Sequence, residues 1–432
     1  MSPRPWLFAA VLGLSACFQG DFLRGRSCED DSRCGPSMQC IEGVCADPDG
    51  PDGPPGPVLW TRTIDASELN RDDEAAAVGV DGEGNVRVVG WSSDPQSGVD
   101  GRLVTLDALG GQLGTSVFRR VFQADADDQI RALAMHPDNS FVIGGHMTTS
   151  GNGEELWLNE REGSFEHWDR MNAGPGPGPD SIAAVAIAPD GLIFTAGFVT
   201  TARGDLDLWF ARHNNGGNIE NQWTVDGPGQ KDDYGRAIAL DPDGLVLVAG
   251  SLTSEQGDRD LWFAGYSRDG AEQWSETVDE DHGDDEAFGI AADSRGAFVV
   301  VGAVEKSGEG RNIWIRKLSQ SRDTLWTVEH TSDGDHEDVA RAVVIDSDDN
   351  VIVAGHVGGG DDGHADIWVR KLDGDDGSPL WTDYYNGLAF GEDRALGVTV
   401  DASDNVVAVG SEETSTGKLD FWVREYKPFS GE

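Results

Sequence analysis

The residues best suited to chemistry in this 432-residue sequence are aspartates that recur at a fixed distance before a glycine. Each stands seventeen residues ahead of a glycine that closes an apolar run, and an acid directly precedes six of the seven. The seven are Asp73, Asp128, Asp180, Asp233, Asp285, Asp338 and Asp393. Carboxylate oxygens are the ligands that Ca²⁺ prefers, so one hypothesis is that a ring of these aspartates binds this cation.

A structural role is the competing hypothesis. A single cation site needs only a few ligands, whereas this aspartate is present in every copy of a repeat. A buried carboxylate can accept backbone N–H bonds in its own loop or from a neighbouring repeat. We therefore favour structure over metal binding. Arg131, Arg236 and Arg341 each lie three residues after one of the aspartates, where they form ordinary ion pairs or neutralise part of the ring.

Catalytic motifs do not point to an enzyme. The acidic stretches 279–286 and 332–338 lack the spacing of an EF-hand, and the sequence contains neither HExxH nor GxSxG. We predict no catalytic residues. An active site assembled from scattered loops remains open as an alternative.

A repeat of about fifty residues positions the aspartates. The spacing between successive glycines is 52 to 55 residues, a period typical of a propeller or an open array. A strand, a turn of Asp, Pro, Asn and Gly, and a second strand precede each glycine. The anchor glycines are Gly90, Gly145, Gly197, Gly250, Gly302, Gly355 and Gly410.

The strand after each aspartate is predicted to lie innermost. Thirteen residues before every anchor glycine the residue is Ala or Gly, and the next is branched or large and apolar. Such a strand is buried on both faces, and small residues suit the crowded axis of a propeller.

Tryptophans mark the third and fourth strands, and we interpret them as packing between blades. The third-strand register holds Trp157, Trp209, Trp262, Trp314, Trp368 and Trp422, with Val104 in the first copy. The fourth-strand register holds Trp60, Trp168, Trp223, Trp274, Trp326 and Trp381, with Phe118 in the first copy.

The last copy lacks its fourth strand, and the segment VLWTRTI, Val58 to Ile64, supplies one. Pairing it with residues 421–426 would close the ring and remove two exposed edges. We therefore predict an all-β fold over 58–428, a seven-bladed β-propeller of four-stranded blades. The repeat unit resembles the bacterial seven-bladed β-propeller repeat often found in secreted proteins. That resemblance implies a fold and no particular activity.

A second resemblance concerns RKLDGDDGSPLW, Arg370 to Trp381, which is similar to the tryptophan-docking motif of quinoprotein dehydrogenases. The resemblance implies a cofactor-dependent propeller enzyme that holds a calcium ion.

The first residues are predicted to be a targeting segment. An apolar run from Trp6 to Leu14 is too short to span a bilayer, and it ends in LSAC, Leu14 to Cys17. This ending resembles a bacterial lipobox. The resemblance implies a signal peptide over 1–16, a lipidated Cys17, and an outer-membrane lipoprotein facing the periplasm or the exterior.

Four cysteines follow within 18 residues, and an even, closely spaced set in an exported chain predicts two disulfides. They are Cys28, Cys34, Cys40 and Cys45, within a Cys-rich segment 17–46 that resembles small EGF-like modules. The Pro- and Gly-rich stretch 47–57 is predicted to be a semi-rigid linker.

The formal charge of −46 excludes the electrostatic footprint of a nucleic-acid binder. The near-uniform repeats favour a non-catalytic binding or scaffolding module with a protein or polysaccharide ligand. The alternative is a propeller enzyme, quinoprotein-like or polysaccharide-acting, that uses the acidic mouth of the channel. In either case the predicted partners include the lipid bilayer, through the acylated Cys17. Ca²⁺ is the only cofactor that we consider.

Overall fold

The structure is a computed structural model. It describes residues 39–41, 44–46, 54, 56–67, 70–120, 126–150, 153–281, 283–332, 336–358 and 363–428. Within these ranges every regular element is a β-strand. No helix of the described part is long and apolar enough to cross a membrane.

Seven sheets of four antiparallel strands, which we call blades 1 to 7, confirm the all-β propeller prediction. The inner strands are Asp73–Val80, Gln129–Met135, Ser181–Ile187, Tyr234–Leu240, Glu286–Ala292, Val339–Ile345 and Arg394–Val400. The second strands are Val86–Asp94, Phe141–Thr149, Ile193–Thr200, Val246–Thr253, Phe298–Lys306, Val351–Gly358 and Val406–Glu413. The third strands are Gly98–Leu106, Gly153–Glu162, Leu206–His213, Arg259–Tyr266, Gly310–Leu318, Ala365–Leu372 and Leu419–Tyr426. The outer strands are Gln112–Phe118, Phe165–Asn172, Ile219–Val225, Glu272–Val278, Thr324–His330, Pro379–Tyr385 and, for blade 7, Val58–Ile64.

The blades form a closed ring. Each inner strand contacts the inner strand of the next blade, and the inner strand of blade 7 contacts that of blade 1. Val58–Ile64 pairs antiparallel with Leu419–Tyr426, with Ile64 opposite Phe421, which confirms the predicted closure. Trp60 lies opposite Glu425 in this pairing. Blade 5 also carries a short parallel strand, His336–Glu337, beside its third strand.

The backbone conformation of the turn between the inner and second strands explains which residue types occur in it. Its third position has a positive φ in every blade, a conformation that Gly, Asn and Asp tolerate best. The residues there are Gly84, Asn139, Gly191, Gly244, Gly296, Asp349 and Asp404.

The anchor glycines lie where the second strand crosses the inner strand without room for a side chain. A Cβ built at Gly250 would lie 1.8 Å from the carbonyl oxygen of Tyr234, and the other six anchors meet an inner-strand carbonyl oxygen at 1.8 to 2.1 Å. Directly beside this point each inner strand has a β-bulge, at Ala76, Arg131, Ala183, Arg236, Phe288, Arg341 and Leu396.

The third-strand tryptophans are buried, and the outer-strand tryptophans reach across to the next blade. Trp274 of blade 4 stacks on Phe298 of blade 5 with 5.3 Å between ring centroids, and Trp381 of blade 6 stacks on Tyr426 of blade 7 at 5.0 Å. Aromatic contacts of this kind add to the free energy gained by burying apolar area.

Two register predictions were wrong. In blades 2 to 7 the anchor glycine lies opposite a third-strand Trp. In blade 1 the anchor Gly90 lies opposite Arg102, not Val104. In the outer strands, Trp223 lies two positions later than the register that the other outer-strand Trp residues share. In blade 1 this register is occupied by Gly114 rather than Phe118. In blade 1 a guanidinium takes the place of the indole ring, because Arg102 hydrogen-bonds Ser92 there.

Upstream of the propeller, Gln39–Ile41 pairs antiparallel with Val44–Ala46, and the backbone of Cys40 lies opposite that of Cys45. Cys17, Cys28 and Cys34 lie outside the described residues, as does the signal peptide 1–16. The two disulfides and the lipidation of Cys17 therefore stay predictions.

The anchor position yields a matched pair of substitutions. Gly250→Ala is expected to lower the free energy of unfolding by about 3 kcal/mol or more, because the clash is with backbone that cannot rotate away. Gly114→Ala, in an outer strand with no atom within 4 Å of the added Cβ, should leave stability unchanged or slightly raised. Urea unfolding of both variants measures the difference. Equal stabilities would contradict this account of the anchor.

Candidate functional site

Asp233 shows how the repeated aspartates are held. Its side chain is fully buried, and its two carboxylate oxygens accept the N–H groups of Thr253, at 2.7 Å, and Gly227. Its own N–H donates to the carbonyl oxygen of Leu206, in the third strand of blade 3, at 2.7 Å. One residue therefore joins the second strand of its own blade, the loop that enters the blade, and the preceding blade.

The same arrangement recurs around the ring. All seven aspartates are at most 1% exposed. Six accept an N–H from the end of the second strand, and the donors are Thr148, Thr200, Thr253, Glu305, Gly358 and Glu413. Blade 1 is the exception, because the N–H of Ser93 donates to the carbonyl oxygen of Asp72 and leaves Oδ1 of Asp73 without a partner.

The seven carboxylates do not converge on one point. Among the described residues, every group of three potential ligand side chains within 4.8 Å of one another contains at most one of them. Two such groups are Asp65 with Asp73 and Asp420, and Asp207 with Asp226 and Asp233. A cation held by Asp73 or Asp233 in these groups would therefore bind between two blades and not across the channel.

Sequence reasoning missed the second acid of these groups. Asp207 and Asp420 each lie two residues before the third-strand Trp, as do Asp260 and Asp366. An Asp two residues before the Trp, with one apolar residue between them, was the signal that could have revealed them.

Burial and neighbouring acids raise the pKa of several of these aspartates and favour their protonated form. Burial raises the pKa of Asp73 to about 7, and the charges of Asp65 and Asp420 contribute. The pKa of Asp285 and that of Asp393 are also raised to about 7, mainly by burial, and that of Asp233 to about 6. The backbone hydrogen bonds act in the opposite direction.

Blade 2 carries a group that differs from the repeat. Asp127, His146 and Glu154 place three ligand atoms within 4.8 Å of one another. His146 is buried, its Nε2 is 3.4 Å from Oδ1 of Asp127, and its Nδ1 is 3.0 Å from Oγ of Ser181. A buried imidazole beside a carboxylate can act as a general base or as a metal ligand.

The bulged residues bring side chains of different blades together. The guanidinium of Arg341 lies 4.2 Å from the ring centre of Phe288 in the preceding blade, and that of Arg236 in blade 4 lies 5.9 Å from the same ring. Arg311, in the third strand of blade 5, approaches the same ring to 5.7 Å. We call Arg236, Phe288, Arg311, Arg341, His356 and Arg394 the arginine cluster.

His356 lies within this cluster. It is 1% exposed, and neither ring nitrogen has a hydrogen-bond partner. Burial holds the pKa of His356 well below its usual value, and the charges of Arg341, Arg394 and Arg311 lower it further, so the imidazole is neutral. Sequence reasoning singled out Arg236 and Arg341 but not their convergence, because it depends on which blades are neighbours.

The hydrogen bonds of Asp233 predict a large loss of stability on truncation. Asp233→Ala leaves two buried N–H groups unpaired, which should cost about 2–6 kcal/mol of unfolding free energy. Asp348→Ala, at an exposed turn position, is the control and should change stability by less than about 0.5 kcal/mol. Calorimetric titration with Ca²⁺ accompanies the unfolding measurement. Loss of Ca²⁺ binding with stability intact would contradict the structural role.

The raised pKa values predict how stability depends on pH. An aspartate whose folded pKa is about 7 binds a proton in the folded state between about pH 4 and 7, where the unfolded chain has lost it. Stability from these groups is therefore lost as the pH rises. The melting temperature in EDTA should fall from pH 5 to pH 8, and Asp393→Asn should fall less steeply, with Asp348→Asn as the control.

Excess Ca²⁺ should leave this decline in place if the aspartates are purely structural. A flat profile in EDTA would contradict the pKa values. A decline abolished by Ca²⁺ would instead indicate cation sites between the blades.

No protein-family model and no curated protein sequence matches this chain. Several solved structures resemble it in backbone. A polysaccharide lyase described as an ulvan lyase of family PL25 shares 11% identity at a TM-score of 0.50, over 83% of this chain and 95% of that one. A protein of unknown function from Dyadobacter fermentans DSM 18053 shares 11% identity at 0.49, over 86% and 99%. The propeller domain of the Trilobed protease from Pyrococcus furiosus shares 11% identity at 0.47, over 84% and 97%. At these identities the likeness shows the β-propeller fold alone.

Proposed function

We propose that this chain is an exported lipoprotein whose propeller is a non-catalytic binding module. In this proposal residues 1–16 are a signal peptide, Cys17 is acylated and attaches the protein to the outer membrane, and residues 47–57 hold the propeller away from the bilayer. Stable attachment needs more than one acyl chain, which the lipobox resemblance implies.

The observation that carries the proposal is the use of the repeated carboxylates. Six of the seven aspartates accept two backbone N–H bonds each and are buried between blades. Groups engaged in this way are not available to transfer protons to a substrate in the channel. The segment 370–381, which resembles the tryptophan-docking motif, also supports a non-catalytic role. Its Trp381 is fully buried against Tyr426, and its Lys371 forms a 2.6 Å ion pair with Asp346.

The second candidate is a propeller enzyme with its site at the acidic side of the channel mouth. The group formed by Asp127, His146 and Glu154 favours it, because it departs from the repeat and combines a buried imidazole with two carboxylates. Such a group suits proton abstraction from a polysaccharide or the binding of a catalytic cation.

One experiment separates the two candidates. The protein and His146→Ser, which places at this register the residue found as Ser251 and Ser411 in blades 4 and 7, are incubated with a panel of neutral and acidic polysaccharides. Chain cleavage is measured by new reducing ends and unsaturated products, and retention by affinity electrophoresis. We expect retention of at least one polymer by both proteins and cleavage by neither. Cleavage that His146→Ser loses would overturn the binding proposal in favour of the enzyme.

A further inference from the structure

Four arginines lie close together around Phe288 and His356 in a chain with a formal charge of −46. Arg236, Arg311, Arg341 and Arg394 come from blades 4, 5, 6 and 7. Arg131 has the same bulge position in blade 2, and its charged neighbours are the acids Glu74, Asp127 and Glu154 together with Arg236. Acids therefore outnumber arginines around Arg131, whereas Arg341 has as many arginines as acids around it.

The acids beside the arginine cluster are already engaged. Glu286 is shared, with its oxygens 2.6 Å from Nε of Arg236 and 3.9 Å from Nη2 of Arg311. Glu337 lies 3.1 Å from Arg311, and Glu392 lies 2.8 Å from Arg394. No carboxylate of the described residues comes within ion-pair distance of Arg341.

Arg341 therefore has no ion-pair partner among the described residues, although Glu286 and Glu337 act on it from beyond ion-pair distance. Its Nε is buried with no hydrogen-bond partner, as are the Nε atoms of Arg311 and Arg394. His356 adds two further unpartnered nitrogens at the same place. Unpaired buried donors are costly in a folded protein. The presence of several such groups in one place therefore points to a missing acceptor.

We propose that the arginine cluster is a binding site for an oxyanion, a carboxylate or sulfate group that enters the channel mouth and pairs with Arg341. A planar guanidinium matches such a group with two parallel hydrogen bonds. The neighbouring guanidinium groups of Arg311 and Arg394 supply additional positive potential, and neutral His356 supplies an N–H donor.

Phe288 completes the site. Its ring supports the guanidinium of Arg341 from one side at 4.2 Å, which limits the orientations that the side chain can adopt. A preorganised guanidinium loses less entropy when a ligand binds. The ligand class is thus an anionic molecule with an exposed carboxylate or sulfate, such as a uronic acid or a sulfated sugar unit.

This inference rests on the proposed function, since it names the ligand chemistry of the binding module. The test uses the full chain at a constant ionic strength set by chloride, titrated calorimetrically with sodium sulfate, sodium acetate and sodium glucuronate. Arg341→Gln should weaken binding at least about tenfold, and Arg341→Lys, which keeps the charge but loses the two-pronged geometry, should be intermediate. The matched control Arg131→Gln should bind as the unmodified protein does. His356→Ser should weaken binding by about tenfold.

Circular dichroism establishes that each variant is folded before titration. Binding of at least one anion that depends on Arg341 and not on Arg131 supports the site. No binding of any of the three anions, or binding equally affected by both arginine substitutions, overturns it. If none of the anions binds, the anion site is overturned, but retention of a polymer would still support the binding module. If the protein cleaves a polysaccharide, the binding module is overturned, but the anion affinity is unchanged. The two failures are therefore distinguishable.

Discussion

A carboxylate withdrawn from water is costly unless hydrogen bonds replace the solvent, and this ring is built around seven aspartates, six of which meet that condition with backbone N–H groups on both oxygens. The loop entering each blade and the end of each second strand also have N–H groups to satisfy. One side chain such as Asp233 serves both, while its own N–H reaches the preceding blade. The geometry of neighbouring blades therefore depends on this residue, and its recurrence in every repeat has a physical cause.

The blade architecture could be predicted because its constraints are local. A Cβ at Gly250 would overlap the carbonyl oxygen of Tyr234, and the turns need residues that tolerate a positive φ. Each requirement recurs once per blade, so the period, the strand order and the closure by Val58–Ile64 could be inferred from the sequence. Local rules also explain the errors. Arg102 occupies a Trp register because Ser92 offers its guanidinium a partner, which depends on the blade and not on the period.

The candidate sites were only partly predictable, because they form where blades meet. Asp207 and Asp226 approach Asp233 from the preceding blade, and only the folded ring places them within 4.8 Å. The arginine cluster draws on four blades, and Arg341 and Arg131 cannot be distinguished by their position in the repeat. They differ in the balance of charge around them, since Arg341 has two arginines and two glutamates as charged neighbours whereas Arg131 has one arginine and three acids.

The closure of the ring has a mechanical consequence. The outer strand of blade 7 is the first strand of the propeller along the chain, and it is held by backbone pairing to Leu419–Tyr426. A pulling force applied through the linker would first load the backbone hydrogen bonds that Pro54 and Gly56 form with Thr382 of blade 6, and next those of this strand pair. Resistance to tension would then be set by these contacts and by the packing of Ile64 with Phe421, whatever the thermodynamic stability of blades 1 to 5.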